Sequence, residues 1–73
     1  MSRTLSPADY LMAIHCALDD GDVQEAGERI ALANRHIMVT NGARWNDSDV
    51  AVLNRMTATY AACVADLAAD GLI

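Results

Sequence analysis

Residues 46–70, NDSDVAVLNRMTATYAACVADLAAD, are the longest stretch of this chain whose apolar positions recur at helical spacing. Leu53, Met56, Tyr60, Val64 and Leu67 follow one another at three or four residues, the pattern of a helix with one face turned to a core. At about 1.5 Å per residue, a helix of about 24 residues spans about 36 Å, so shorter elements must be arranged along it. Its limits are encoded locally. Asn46 can cap the N-terminus while Asp49 reaches back from the third helical position, and Trp45 and Val50 stand at hydrophobic-staple spacing. Asp47 and Asp49 suit the positive end of the helix dipole, and Gly71 can take the left-handed conformation that stops a helix.

The opposite side of this segment carries Ala51, Ala58, Ala62, Ala65 and Ala69. Small side chains let another helix approach closely, which makes this stripe the candidate self-association surface. Alanine is also the strongest helix former, and helix propensity alone is enough to place it there.

Upstream, Ser6, Pro7 and Asp9 make a second helix start: a serine cap, proline at the first helical position and a carboxylate three residues after the cap. Met1 to Leu5 read as a short disordered or loosely docked arm, with Leu5 and Tyr10 at staple spacing. A helix is expected over 7–20, with Tyr10, Leu11, Ile14, Ala17 and Leu18 facing the core and Asp9, His15 and Asp19 left to solvent or to the first layer of a partner. Asp20-Gly21-Asp22 is too short for a linker, so an antiparallel hairpin should lead into a second helix over 23–40. Its core stripe is Val23, Ala26, Ile30, Ala33 and Ile37; Glu25 and Arg29 form an i, i+4 pair, and Leu32 and Val39 lie off the stripe. Gly27 costs about 1 kcal/mol against alanine unless close packing requires it. Asn41 and Gly42 end the helix.

Tyr10, Ala13 and Ala17 before GDVQEA, with Ala26, Ile30 and Ala33 after the turn, give a segment of about 30 residues that resembles one tetratricopeptide-like unit. The resemblance implies hairpin geometry. Residues 46–73 hold no second copy, so the solenoid groove in which that family binds peptides is not implied.

With 73 residues, no Phe, one Trp and two Tyr, the core must be assembled from aliphatic side chains and many alanines. Such a core is thin, and association with a second copy or another protein would bury more surface. A net charge of −5, with no lysine and five arginines, argues against direct nucleic-acid binding, which needs clustered positive charge. No apolar run approaches the roughly 20 residues that span a bilayer, and no charged leader opens the chain. A soluble cytoplasmic protein without membrane contact is the expectation.

Cys16 and Cys63 read as small buried hydrophobes, and His15 and His36 as surface imidazoles. Neighbouring helical residues point about 100° apart, so His15 and Cys16 do not share an ion; without a CxxC or HxxxH pair, no metal or other cofactor is expected. Asn46, Asp47 and Asp49 lack the glycine and distant acid of a calcium loop. No nucleophile–base pair, facing carboxylates or phosphate-cradling loop is visible, so a non-enzyme is expected.

The reading that results is an all-α, small three-helix domain, a short hairpin plus a long C-terminal helix, forming a homodimer. Self-association is expected through Ala51, Ala58, Ala62, Ala65 and Ala69 with Leu32 and Val39. Contact with another protein is expected through Arg44 and Trp45, residue types enriched at interface hot spots, and through Asp19, Asp20, Asp22, Glu25 and Glu28. The function expected is that of a small acidic adaptor or inhibitor occupying a partner's surface. In the alternative, the acids around the first hairpin, Asp9 among them, imitate phosphate for a basic groove. Small acidic helical phage proteins, anti-CRISPR inhibitors included, are similar in size and charge. A structural component of a larger assembly is a third class.

Overall fold

The computed structural model describes residues 6–71. They form three helices, α1 (Pro7–Asp19), α2 (Val23–Val39) and α3 (Asp47–Ala69), with no strand among the described residues. Each helix stops one residue before its expected limit of 20, 40 or 70, because Asp20, Thr40 and Asp70 are the C-caps. The arm expected over 1–5, and the Leu5 half of the staple on Tyr10, lie outside the described residues.

Local chemistry sets the helix starts. The Ser6 backbone N–H donates to Asp9 Oδ2 at 2.8 Å while Asp9 N–H donates to Ser6 Oγ at 3.4 Å, and Asn46 and Asp49 make the same reciprocal box at 3.4 and 2.8 Å. Each box satisfies donors that a helix N-terminus leaves without partners.

The helix ends are equally specific. At the end of α1, Gly21 N–H donates to the Leu18 carbonyl and Asp22 N–H to the Ala17 carbonyl, with Gly21 at φ +75°. At the end of α2 the same pair of bonds runs from Asn41 to Met38 and from Gly42 to Ile37, and Asn41 takes the left-handed position at φ +57°. Both are Schellman closures, and Asn is the non-glycine residue that tolerates that conformation best. Asp22 also begins α2, its carboxylate accepting from Glu25 N–H at 3.1 Å.

Tyr10 near the start of α1 stacks on His36 near the end of α2, so these two helices run antiparallel. Tyr60 of α3 meets Gly27 early in α2, so α3 returns antiparallel to α2 and roughly parallel to α1. The core is Leu11, Ile14 and Ala17 from α1, Ala26, Ile30 and Ala33 from α2, Trp45 from the loop and Leu53 from α3. Tyr10, Leu18, Ile37, Val50, Val52, Met56 and Tyr60 pack around it half-buried.

Of the stripe expected on α3, only Leu53 is fully buried, while Met56, Tyr60, Val64 and Leu67 are half-covered. Length is the reason. α1 has 13 residues and α3 has 23, about 20 against about 35 Å, so α3 runs past what the hairpin can cover. The thiols also differ from expectation: Cys16 is exposed and Cys63 half-buried, because Cys16 follows His15 around the outer side of α1.

Gly27 is a packing residue. A Cβ placed there would lie 2.7 Å from the Tyr60 hydroxyl and 3.0 Å from Cζ, inside contact distance. Gly27→Ala therefore sets a helix-propensity gain of up to about 1 kcal/mol against displacement of a packed ring, which costs about 1–3 kcal/mol. Urea denaturation should show a net loss of about 1 kcal/mol in the wild-type background. In a Tyr60→Leu background, where the close contact is gone, the same substitution should stabilise.

Candidate functional site

Of the Arg44-Trp45 pair proposed to meet a partner, the fold exposes Arg44 and turns Trp45 inward, leaving the indole 7% accessible. The indole N–H donates to His36 Nδ1 at 2.9 Å, and the His36 ring stacks on Tyr10 with centroids 4.9 Å apart and planes 30° apart. Tyr10 and Trp45 themselves are 6.2 Å apart. His36 is thus a half-buried joint rather than the surface imidazole expected from sequence. An indole nitrogen can only donate, so Nδ1 must be unprotonated and the neutral ring carries its hydrogen on Nε2.

The acids proposed for partner contact divide into two groups. Asp22 caps α2, and Glu25 accepts from Arg29 Nε at 2.9 Å. Arg29 in turn reaches from α2 to the Ala13 carbonyl of α1 at 2.6 Å, so this pair also ties the hairpin together. Asp19, Asp20 and Glu28 are exposed.

The residues proposed for self-association all face outward. Ala51, Ala58, Ala62, Ala65 and Ala69 are exposed along α3, and Leu32 and Val39 are 54% and 75% exposed on α2. At about 100° per residue each set lies opposite the buried stripe of its own helix, so the two point away from different sides of the bundle. The fold therefore presents two separate outward faces, each carrying an exposed arginine, Arg35 on α2 and Arg55 on α3, among its apolar residues. Met38, 80% exposed beside Val39, extends the face on α2 and was not among the residues singled out from sequence.

Sequence reasoning also missed a groove. Ala8, Leu11, Met12 and His15 of α1 and Asp49 and Met56 of α3 line an open trough of about 390 Å³. Its signal was present in the spacing of residues 8, 11, 12 and 15, a helical stripe beside the core stripe; Met12, at 63% exposed, marks its outer wall. Asp49 stands at its edge with its carboxylate already accepting from Asn46 N–H.

Comparison with protein-family models, curated proteins and solved structures found no match. The surfaces themselves must therefore carry the functional argument. Among the described residues, no group of three or more His, Cys, Asp or Glu could hold a metal ion, and no helix is long and apolar enough to cross a membrane.

The aromatic joint makes a prediction about stability. Trp45→Phe keeps a ring in place and removes the N–H, and should cost about 1 kcal/mol. Trp45→Ala should cost about 3–5 kcal/mol, much of the roughly 4–11 kcal/mol available to a domain of this length. Urea denaturation followed by circular dichroism separates these outcomes, and ¹⁵N correlation spectra of the imidazole should place the neutral His36 hydrogen on Nε2.

Proposed function

We propose that this chain is a small acidic protein-binding module, an adaptor or inhibitor that acts in the cytoplasm by covering part of another protein's surface. Self-association through the outward faces of α2 and α3 is part of the same reading. The observation that carries it is the exposure of Met12, Leu32, Met38 and Val39, at 63%, 54%, 80% and 75%, on a domain with eight buried hydrophobic residues among those described. Single exposed apolar residues are ordinary on protein surfaces. Here Leu32 and Val39 stand two helical turns apart on one side of α2 with Met38 adjoining, and exposed alanines run along the outer side of α3 among Asn54, Arg55 and Thr59. Covering such surface gives a favourable apolar contribution of about 25 cal/mol per Å² removed from water.

Protein is favoured over nucleic acid as the partner because the chain carries −5 and no lysine. Salt separates apolar docking from imitation of phosphate by Asp19, Asp20 and Glu28. Apolar docking on the α2 face of Leu32, Met38 and Val39 keeps its affinity as ionic strength rises, whereas an acidic decoy weakens steeply.

Two measurements test this reading. Light scattering across a concentration series should approach twice the single-chain mass, and Ala58→Arg with Ala65→Arg should return the mass of one chain with helix content unchanged. A wild-type chain that stays single at high concentration defeats self-association. Affinity capture from the source cells should recover a protein that is lost with the Leu32→Gln, Met38→Gln, Val39→Gln variant. Equal capture by both chains, or none by either, defeats the assignment of the α2 face.

A further inference from the structure

We propose that the groove between α1 and α3 receives an amphipathic helix with a basic polar face. This rests on the protein-binding reading and names the class of partner.

The shape comes first. The α1 side is lined at i, i+3, i+4 and i+7 by Ala8, Leu11, Met12 and His15, and the α3 side at i and i+7 by Asp49 and Met56. Two roughly parallel helices contributing seven-residue spans enclose a trough two turns, or about 10 Å, long. That is a seat for a third cylinder laid along both, and apolar anchors at i, i+3 or i+4 and i+7 of the occupant would face into it. The volume of about 390 Å³ is enough for a few side chains. Leu11 is the buried member of the lining, while exposed Met12 and half-buried Met56 stand as walls. Methionine is unbranched and polarizable, so such walls adapt to the side chains they meet.

Charge then chooses the occupant. Asp49 lies at one end of the trough, and Asp19 lies one turn beyond His15 at the other. None of Arg29, Arg35, Arg44 and Arg55 lines it. A second copy would bring another −5 to this acidic rim, whereas a lysine- or arginine-bearing helix meets opposite charge at both ends.

The test uses the full chain and three probe peptides of about 16 residues, each with leucine at i, i+3, i+4 and i+7 and a polar face of lysine, glutamine or glutamate. Calorimetry gives affinity, and methionine methyl resonances report location. The lysine peptide should bind best and move the Met12 and Met56 methyls while Met38 stays in place. Its affinity should fall at least about ten-fold between about 0.05 and about 0.5 M salt. Met12→Gln, at an exposed position where folding is preserved, should weaken binding about ten-fold. Asp49→Asn keeps an acceptor for the Asn46 N–H and should weaken the lysine peptide about three-fold without affecting the glutamine peptide. No binding, equal binding of the glutamate peptide, or Met12 and Met56 shifts produced by raising the concentration of the chain alone would overturn the proposal. Shifts centred on Met38 would also overturn it while leaving the protein-binding reading intact; that reading fails separately, in the capture experiment with the α2 variant.

Discussion

The bundle has one closed corner and one open one, and the hydrogen bond from Trp45 to His36 holds the open corner together. At the closed corner a three-residue turn ties α1 to α2 covalently. At the other end the start of α1, the end of α2 and the approach to α3 meet, and there the Tyr10, His36 and Trp45 rings replace a covalent tie. The indole is the largest side chain in a core otherwise made of alanine, leucine and isoleucine. Its position fixes where α3 starts and so sets the line along which that long helix crosses the hairpin. The seating of Tyr60 over Gly27 and the spacing of Met12 from Met56 both follow from that line.

A thin core beneath a long helix explains the character of the surface. The hairpin can bury Leu53 completely but leaves Met56, Tyr60, Val64 and Leu67 half-covered. Ten acids against five arginines give that surface a net charge of −5. The result is a molecule with apolar strips separated by carboxylates. Such a surface discriminates by charge first and buries apolar area second, and this combination underlies both the protein-binding reading and the choice of a basic helix for the groove.

What was legible in the sequence was local. Both capping boxes, the turn at Asp20-Gly21-Asp22 and the core stripes depend on residues within one or two helical turns, so spacing alone identifies them. Features between helices were not legible. His36 and Trp45 are nine positions apart across a turn, and nothing in their spacing announces that one accepts from the other. Gly27 reads as a weakness until Tyr60 arrives from a different helix to occupy the missing Cβ's place. Cys16 was assigned to the interior by residue type, yet the rotation of α1 carries it outward. The division of Ala58, Ala65, Leu32 and Val39 between two outward directions likewise emerges only when the helices are assembled.

Asp22 belongs to both helices of the hairpin: its N–H closes α1 on the Ala17 carbonyl while its carboxylate opens α2 on the Glu25 N–H. No spare residue remains at that corner to absorb a change of angle. α1 and α2 consequently tilt as one lever, with Arg29 clasping Ala13 further along the shaft. A load placed on the outer side of α1 thus reaches α2 through two points, the Asp22 corner and the Arg29 clasp.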